Sequence, residues 1–298
     1  MAVVGAIGLV VAALFVRSLL AGDSDGSSGS SERSLPVVAC APDLDHVCDA
    51  LVDDGLVRAA PAALDLAGAA DPDPTIDAWI TWDPAPGVAN LDAPDTWGAV
   101  TTLASAPLGV LVAGGPDACT TTADWACVVT LAENGLAVGT GDGTTAESLA
   151  RLHAVGAALV PDEGDFTEIS PIALRQVVQS PQVRQSDAAD QITIFLTRRG
   201  ALSAVIGPVA ALQAAAARQP TATVTQPEPG ATAQVVLATS SAPAAGGGAA
   251  RPTLSAGDLL ASEAARAALE SLGLEPGLGE PAAATTAGEV YSLREKLR

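Results

Sequence analysis

From Leu35 onward the chain alternates short apolar runs with segments of helical period. That alternation restricts the fold more than any other feature. Leu35-Pro36-Val37-Val38-Ala39-Cys40 reads as a strand, Ala41-Pro42-Asp43 as a turn, and Leu44, Val47, Cys48 and Leu51 then recur on one helical face. Ile76, Ala78 and Ile80 predict a second strand that stops at Trp82-Asp83-Pro84. Pro107 to Val112 predicts a third, and Leu136 to Gly139 a fourth. The fourth runs into Thr140-Gly141-Asp142-Gly143-Thr144-Thr145. A helix follows with Leu149, Leu152, Gly156 and Leu159 on one face, and Thr144 with Glu147 has capping-box spacing. Ile172 to Gln182 reads as a helix and Gln191 to Leu196 as a strand or helix edge. Ala204 to Pro208 is a short strand, and Thr221–Val224 and Ala233–Leu237 are extended. Ala242 to Pro252 is a low-complexity loop. Ser255 and Asp258 open a last helix that Gly273 closes. Strands alternating with helices predict an α/β fold.

Composition removes several function classes. The 298 residues carry 34 Asp+Glu against 14 Lys+Arg, a net charge of −20, so the basic footprint of a nucleic-acid binder is missing. Lys296 is the single lysine, which excludes P-loop, Schiff-base and protein-kinase chemistry. His46 and His153 are the two histidines, too few for a histidine-built metal centre or triad, and surface or core packing is their default role. There is no G-x-S-x-G elbow and no H-E-x-x-H. With 3% aromatics, the core must be packed by Ala, Val and Leu. Charge is also uneven: residues 35–168 hold 21 acids and 2 arginines, whereas residues 169–298 hold 10 of each sign.

The N-terminus points to a membrane. Ala2 to Val16 is uncharged and apolar and continues to Ala21 across Arg17. About 20 helical residues span a ~30 Å hydrocarbon core. The basic start and small-residue cleavage site of a signal peptide are missing, so residues 1–21 are expected to be an uncleaved anchor rather than a cleaved signal. Residues 22–34 form a Gly/Ser linker. The positive-inside rule, applied to Arg17 and Arg33, would put the domain inside. The cysteines argue the other way. Cys40/Cys48 and Cys119/Cys127 are each eight residues apart. That spacing suits two local disulfides in an oxidising compartment, the alternative being buried thiols in a cytosolic domain. The expected location is a single-pass membrane protein with its main domain extracellular.

Several segments together resemble the type II extracellular (periplasmic) solute-binding proteins. The likeness is to the molybdate-binding group and to membrane-tethered actinobacterial forms. Val37 to Leu44 with Cys48-Asp49-Ala50-Leu51 is similar to that family's first strand and helix. Ile76 to Asp83 resembles the strand ending at the ligand cleft, and Leu103 to Val112 the strand leading into the second lobe. Gly139 to Thr145 resembles the second-lobe loop and helix N-terminus, Ala204 to Pro208 a later cleft strand, and Leu259 to Leu274 the closing helix. The resemblance spans residues 35–276. It implies two α/β lobes, lobe one from 35–114 with 231–298 and lobe two from 115–230, behind an N-terminal transmembrane helix. It further implies a ligand held between the lobes, with Asp43, Trp82, Ser105, Asp142, Thr144 and Thr145 as candidate contacts. Asp43 stands where molybdate-binding relatives use a hydroxyl, and a carboxylate there repels an oxyanion. Molybdate specificity is therefore not carried over.

Other motifs read more plainly. Gly139-x-Gly141-x-Gly143 lacks the dinucleotide spacing, which leaves a cleft helix N-terminus or a tight turn. The Asp43–Asp54 carboxylates read as a solvated face rather than a cation site. Asp71-Pro72-Asp73-Pro74 is a rigid turn, not an EF-hand. Trp79 and Trp82 divide between core and cleft. The expectation is a membrane-anchored binding protein without catalysis, cofactor or metal. Its partners would be a small solute, the membrane, and a transporter or envelope protein. The alternative is a degenerate binding fold acting as a cell-envelope interaction module with its cleft filled by side chains.

Overall fold

The structure, a computed structural model, describes residues 35–113, 125–141, 143–159, 188–198, 200–228, 230–241 and 252–279. The expected anchor and linker, the helix expected over Ile172–Gln182 and residues 242–251 of the low-complexity loop lie outside them. Among the described residues no helix is long and apolar enough to cross a membrane.

The chain enters through β1 (Val37–Cys40), a 3-10 turn at Pro42–Leu44, and α1 (Asp45–Asp53). Then come β2 (Arg58–Ala59), β3 (Ala78–Trp82), α2 (Ala85–Asp92) and the long β4 (Trp97–Ala113). Next are α3 (Ala126–Glu133), β5 (Val138–Gly139), α4 (Ala146–Leu159) and α5 (Ala188–Thr197). After these follow β6 (Ala204–Pro208), α6 (Val209–Ala216), β7 (Ala222–Thr225) and β8 (Thr232–Ser240). The described chain ends with α7 (Ala256–Ala261), α8 (Glu263–Ser271) and β9 (Glu275–Gly279).

The strands form one mixed sheet in the order β2-β1-β3-β8-β4-β6-β5, with β7 and β9 also paired to β4. The pairs β1–β2, β1–β3 and β5–β6 are parallel, and the ladders of β4 and β8 are antiparallel. β1 and β3 are buried along their whole length, as expected of strands covered on both faces, which is why Val-Val-Ala-Cys and Ala-Trp-Ile-Thr-Trp show no polar alternation.

β4 carries two sheet regions. Up to Pro107 it pairs with β8 and β9; from Leu108 it pairs with β6 and, from Val110, with β7. The change falls at a proline, which cannot donate to a ladder. The next residue, Leu108, donates its N–H to the Ala231 carbonyl just before β8 begins. Residues on both sides of the switch come from interleaved parts of the chain: β1–β3, β8 and β9 in one region, β5–β7 in the other.

The larger core runs through both regions. Trp79, Ile80 and Leu237 share it with Trp125, Leu131, Leu149 and Ile206. Helix α4 packs against β3 and β8, although it lies midway between the two passages of the chain through the first region. A smaller core of Leu111, Phe195, Leu202, Val205, Leu212 and Ala215 sits under α5 and α6.

Four segments gain definition. Gln191–Leu196, open between strand and helix edge, is helical: Gln191 and Phe195, one turn apart, are both buried there and Phe195 joins the smaller core. β4 begins ten residues before Pro107, its early half hidden from pattern reading by Gly98, two bulges and partly exposed residues. The last helix is two helices. Ser262 adopts an extended backbone, and its Oγ accepts from the Ala265 N–H at 2.9 Å and donates to Asp54 at the end of α1. At the start of α4, Thr145 and Ser148 cap the helix reciprocally: the Ser148 N–H donates to Thr145 Oγ1 at 3.2 Å and the Thr145 N–H to Ser148 Oγ at 3.3 Å.

Gly109, just past the switch, is required by close approach. A Cβ there would lie 2.8 Å from the Thr225 carbonyl oxygen of β7 and 3.0 Å from Val209 Cγ2. Gly109→Ala is expected to cost about 1–3 kcal/mol through overpacking, read as a lower urea midpoint. An unchanged midpoint would show that β7 and α6 yield freely.

Candidate functional site

β1 and β3 are parallel neighbours, so their C-terminal ends emerge side by side. The Ala41 N–H donates to the Ile80 carbonyl at 2.9 Å. The turn after β1 carries Asp43, and Trp82 is the last residue of β3. In open α/β sheets, carboxyl ends of strands are where ligands bind. Trp82 Nε1 donates to Asp43 Oδ2 at 2.6 Å, which fixes both the indole and the carboxylate. Trp79, three residues earlier, is wholly buried. It donates to the Leu64 carbonyl and packs against Trp97 with ring centroids 5.2 Å apart. Trp82, 3% exposed, belongs to the larger core together with Trp79.

Asp43 and Trp82 line a cavity of about 390 Å³. Its far wall comes from the other sheet region: Ile192 and Leu196 of α5, Pro208 at the end of β6, and Ala211, Ala214 and Ala215 of α6, with Arg218 beyond. Ser271 and Leu272 at the end of α8 close another side, and Glu147 in the first turn of α4 completes it. The volume falls within the range of small-molecule sites, about 300–1,000 Å³, and so does the apolar character with a few polar groups.

Glu147 is held from behind. Arg151, one turn later and 1% exposed, approaches it at 3.7 Å between Nε and Oε1. Arg151 Nη1 also donates to Gln191 Oε1 at 3.1 Å and to the Ile206 carbonyl at 3.0 Å, tying α4 to α5 and β6. Its Nη2 has no hydrogen-bond partner among the described residues. A buried guanidinium so placed depends on its carboxylate. Glu147→Gln is expected to lower stability by about 3 kcal/mol, and adding Arg151→Met to recover a good part of it, because the uncompensated buried charge goes too. Urea unfolding of both variants checks this; equal losses would show that the charge is not what matters.

In the glycine-rich segment before α4, Gly141 has φ +80°, and a Cβ on it would run into the Ser148 side chain. Thr144 is exposed and Thr145 is engaged in the cap; neither lines the cavity. Ser105 is half-buried on β4, in register with Gln234 and Glu275, and does not line it either. Asp142 lies outside the described residues. Of the expected contacts, the cavity gathers Asp43 and Trp82. It adds Glu147, α5, α6 and the end of α8, which pattern reading missed. The one available signal was the Ala211, Ala214, Ala215 spacing, a small-residue face on an otherwise unremarked helix.

Cys40 and Cys48 form a disulfide with Cα atoms 6.1 Å apart. Cys127 is disulfide-bonded, and Cys119 lies outside the described residues. Among the described residues no group of three or more His, Cys, Asp and Glu side chains is placed to hold a metal ion.

Asp83, after Trp82, has its carboxyl pushed above the usual range by burial. The folded state therefore binds this proton more tightly than the unfolded state. Its stabilising contribution is complete below the ordinary carboxylate pKa of about 3.9 and is lost as pH rises through the raised native value. Asp83→Asn should gain stability relative to the parent across that window, seen as a flatter dependence of Tm on pH. Parallel curves would contradict it.

No family model matches the sequence, and a search of curated proteins gives no match. Solved structures do match. Apo ferric ion-binding protein A from Pasteurella haemolytica aligns over 89% of this chain and 95% of its own, with 12% identity and a TM-score of 0.53. A two-component system protein described as mediating signal transduction aligns over 80% and 85%, with 12% identity and a TM-score of 0.52. The periplasmic binding protein P5PA aligns over 85% and 88%, with 12% identity and a TM-score of 0.50. At these identities the likeness establishes a common fold: this chain has the mixed α/β fold of solute-binding proteins.

Proposed function

We propose that this chain is a solute-binding protein that holds a small molecule between its two sheet regions and breaks no bond. The observation that carries this reading is the apolar cavity, with Asp43 and Trp82 on one side and α5, β6 and α6 on the other. A ligand there touches both regions and favours whichever arrangement brings them together. On this reading the chain divides into lobe one (35–114 and 231–298) and lobe two (115–230), although β4 changes partners at Pro107–Leu108, inside the first of these ranges. The apolar run Ala2–Ala21 would hold the domain outside the cell membrane on its Gly/Ser linker. The Cys40–Cys48 disulfide supports an oxidising location. The captured solute would pass to a transporter or be reported to an envelope partner.

One observation favours a second reading. The larger core is continuous across both regions and includes α4 packed on β3 and β8, an arrangement suited to a rigid interaction module. A thermal-shift screen of amino acids, sugars, polyamines and oxyanions separates the two. A true solute at about 100 times its Kd stabilises by about 2.7 kcal/mol. A blank screen would favour the interaction module.

A further inference from the structure

The walls of the cavity specify a class of solute. We infer that it accepts a small organic cation with an apolar body, an ammonium carried on an alkyl or aryl group; this rests on the solute-binding reading above. Most of the lining is aliphatic: Ile192, Leu196, Pro208, the α6 alanines and Leu272. Such walls suit a hydrocarbon body and offer sugar hydroxyls few partners. The polar end is acidic. Asp43 presents a carboxylate oriented by the Trp82 Nε1–H. Glu147 adds a second carboxylate to the wall, while its counter-ion Arg151 lies behind it, outside the lining.

An anion is disfavoured by the field, since residues 35–168 carry 21 acids and 2 arginines. Among the described residues the basic residue of the lining is Arg218, which is exposed and free to turn to water.

Three probes of matched shape test this on the full chain: 2-phenylethylammonium, 2-phenylethanol and 3-phenylpropionate, titrated by calorimetry at low salt. The ammonium should bind at least about tenfold tighter than the alcohol, the range expected of a charge-assisted hydrogen bond, and the carboxylate should not bind. Asp43→Asn should erase the preference for ammonium while keeping the alcohol affinity, which also shows that the variant is folded. Arg218→Gln, at an exposed position, should tighten the ammonium by a few-fold. Equal binding of ammonium and alcohol, or preference for the carboxylate, overturns the charge assignment and leaves solute binding standing. Three blanks beside a hit of another class in the thermal-shift screen overturn it likewise. Blanks in both experiments overturn the solute-binding reading as well.

Discussion

A single strand holds this molecule together. β4 is 17 residues long and supplies a ladder to β8 and β9 with its first part and to β6 and β7 with its second. Neither sheet region closes without it. Where the partners change, at Pro107 and Leu108, the two regions diverge, and the space between them is bounded by strand ends and helices rather than by a ladder. The position of the cavity follows from this. β1 and β3 deliver Asp43 and Trp82 from one side, and β6 delivers Pro208 from the other.

Electrostatics refine what packing sets out. The Ala-rich interior, with 3% aromatics in the chain, leaves few large side chains to fix geometry. Polar ties take that part: Trp82 to Asp43, Ser262 to Asp54, and Arg151 to Glu147, Gln191 and the Ile206 carbonyl. Buried polar groups that are mostly but not wholly satisfied make geometry specific at a cost in stability. Arg151 is the extreme case, joining α4, α5 and β6 through one guanidinium.

Much of the fold was legible from pattern alone. The buried strands at Val37–Cys40, Ala78–Trp82 and Ala204–Pro208 were visible as short apolar runs bounded by Pro, Gly or Asp. α1 showed its face through Leu44, Val47, Cys48 and Leu51. The gaps have physical causes. Gln191–Leu196 stayed open between strand and helix edge because it is rich in β-branched residues, and packing against the smaller core accompanies its helix. Ser262 interrupts a face that otherwise runs on to Leu272, because its hydroxyl caps a new helix instead of continuing the old one. Of the site, Asp43 and Trp82 were readable because strand ends are marked in sequence. Glu147, Leu272 and the α6 alanines were not, since what brings them to the cavity is the meeting of segments far apart in the chain.

The Cys40–Cys48 disulfide, buried in the larger core, also bears on the cavity. Cys40 ends β1, Cys48 lies in α1, and Asp43 sits within the small ring they close. The carboxylate at the cavity floor is thus fastened by a covalent loop as well as by an indole. Closing that ring becomes the step that finishes the floor.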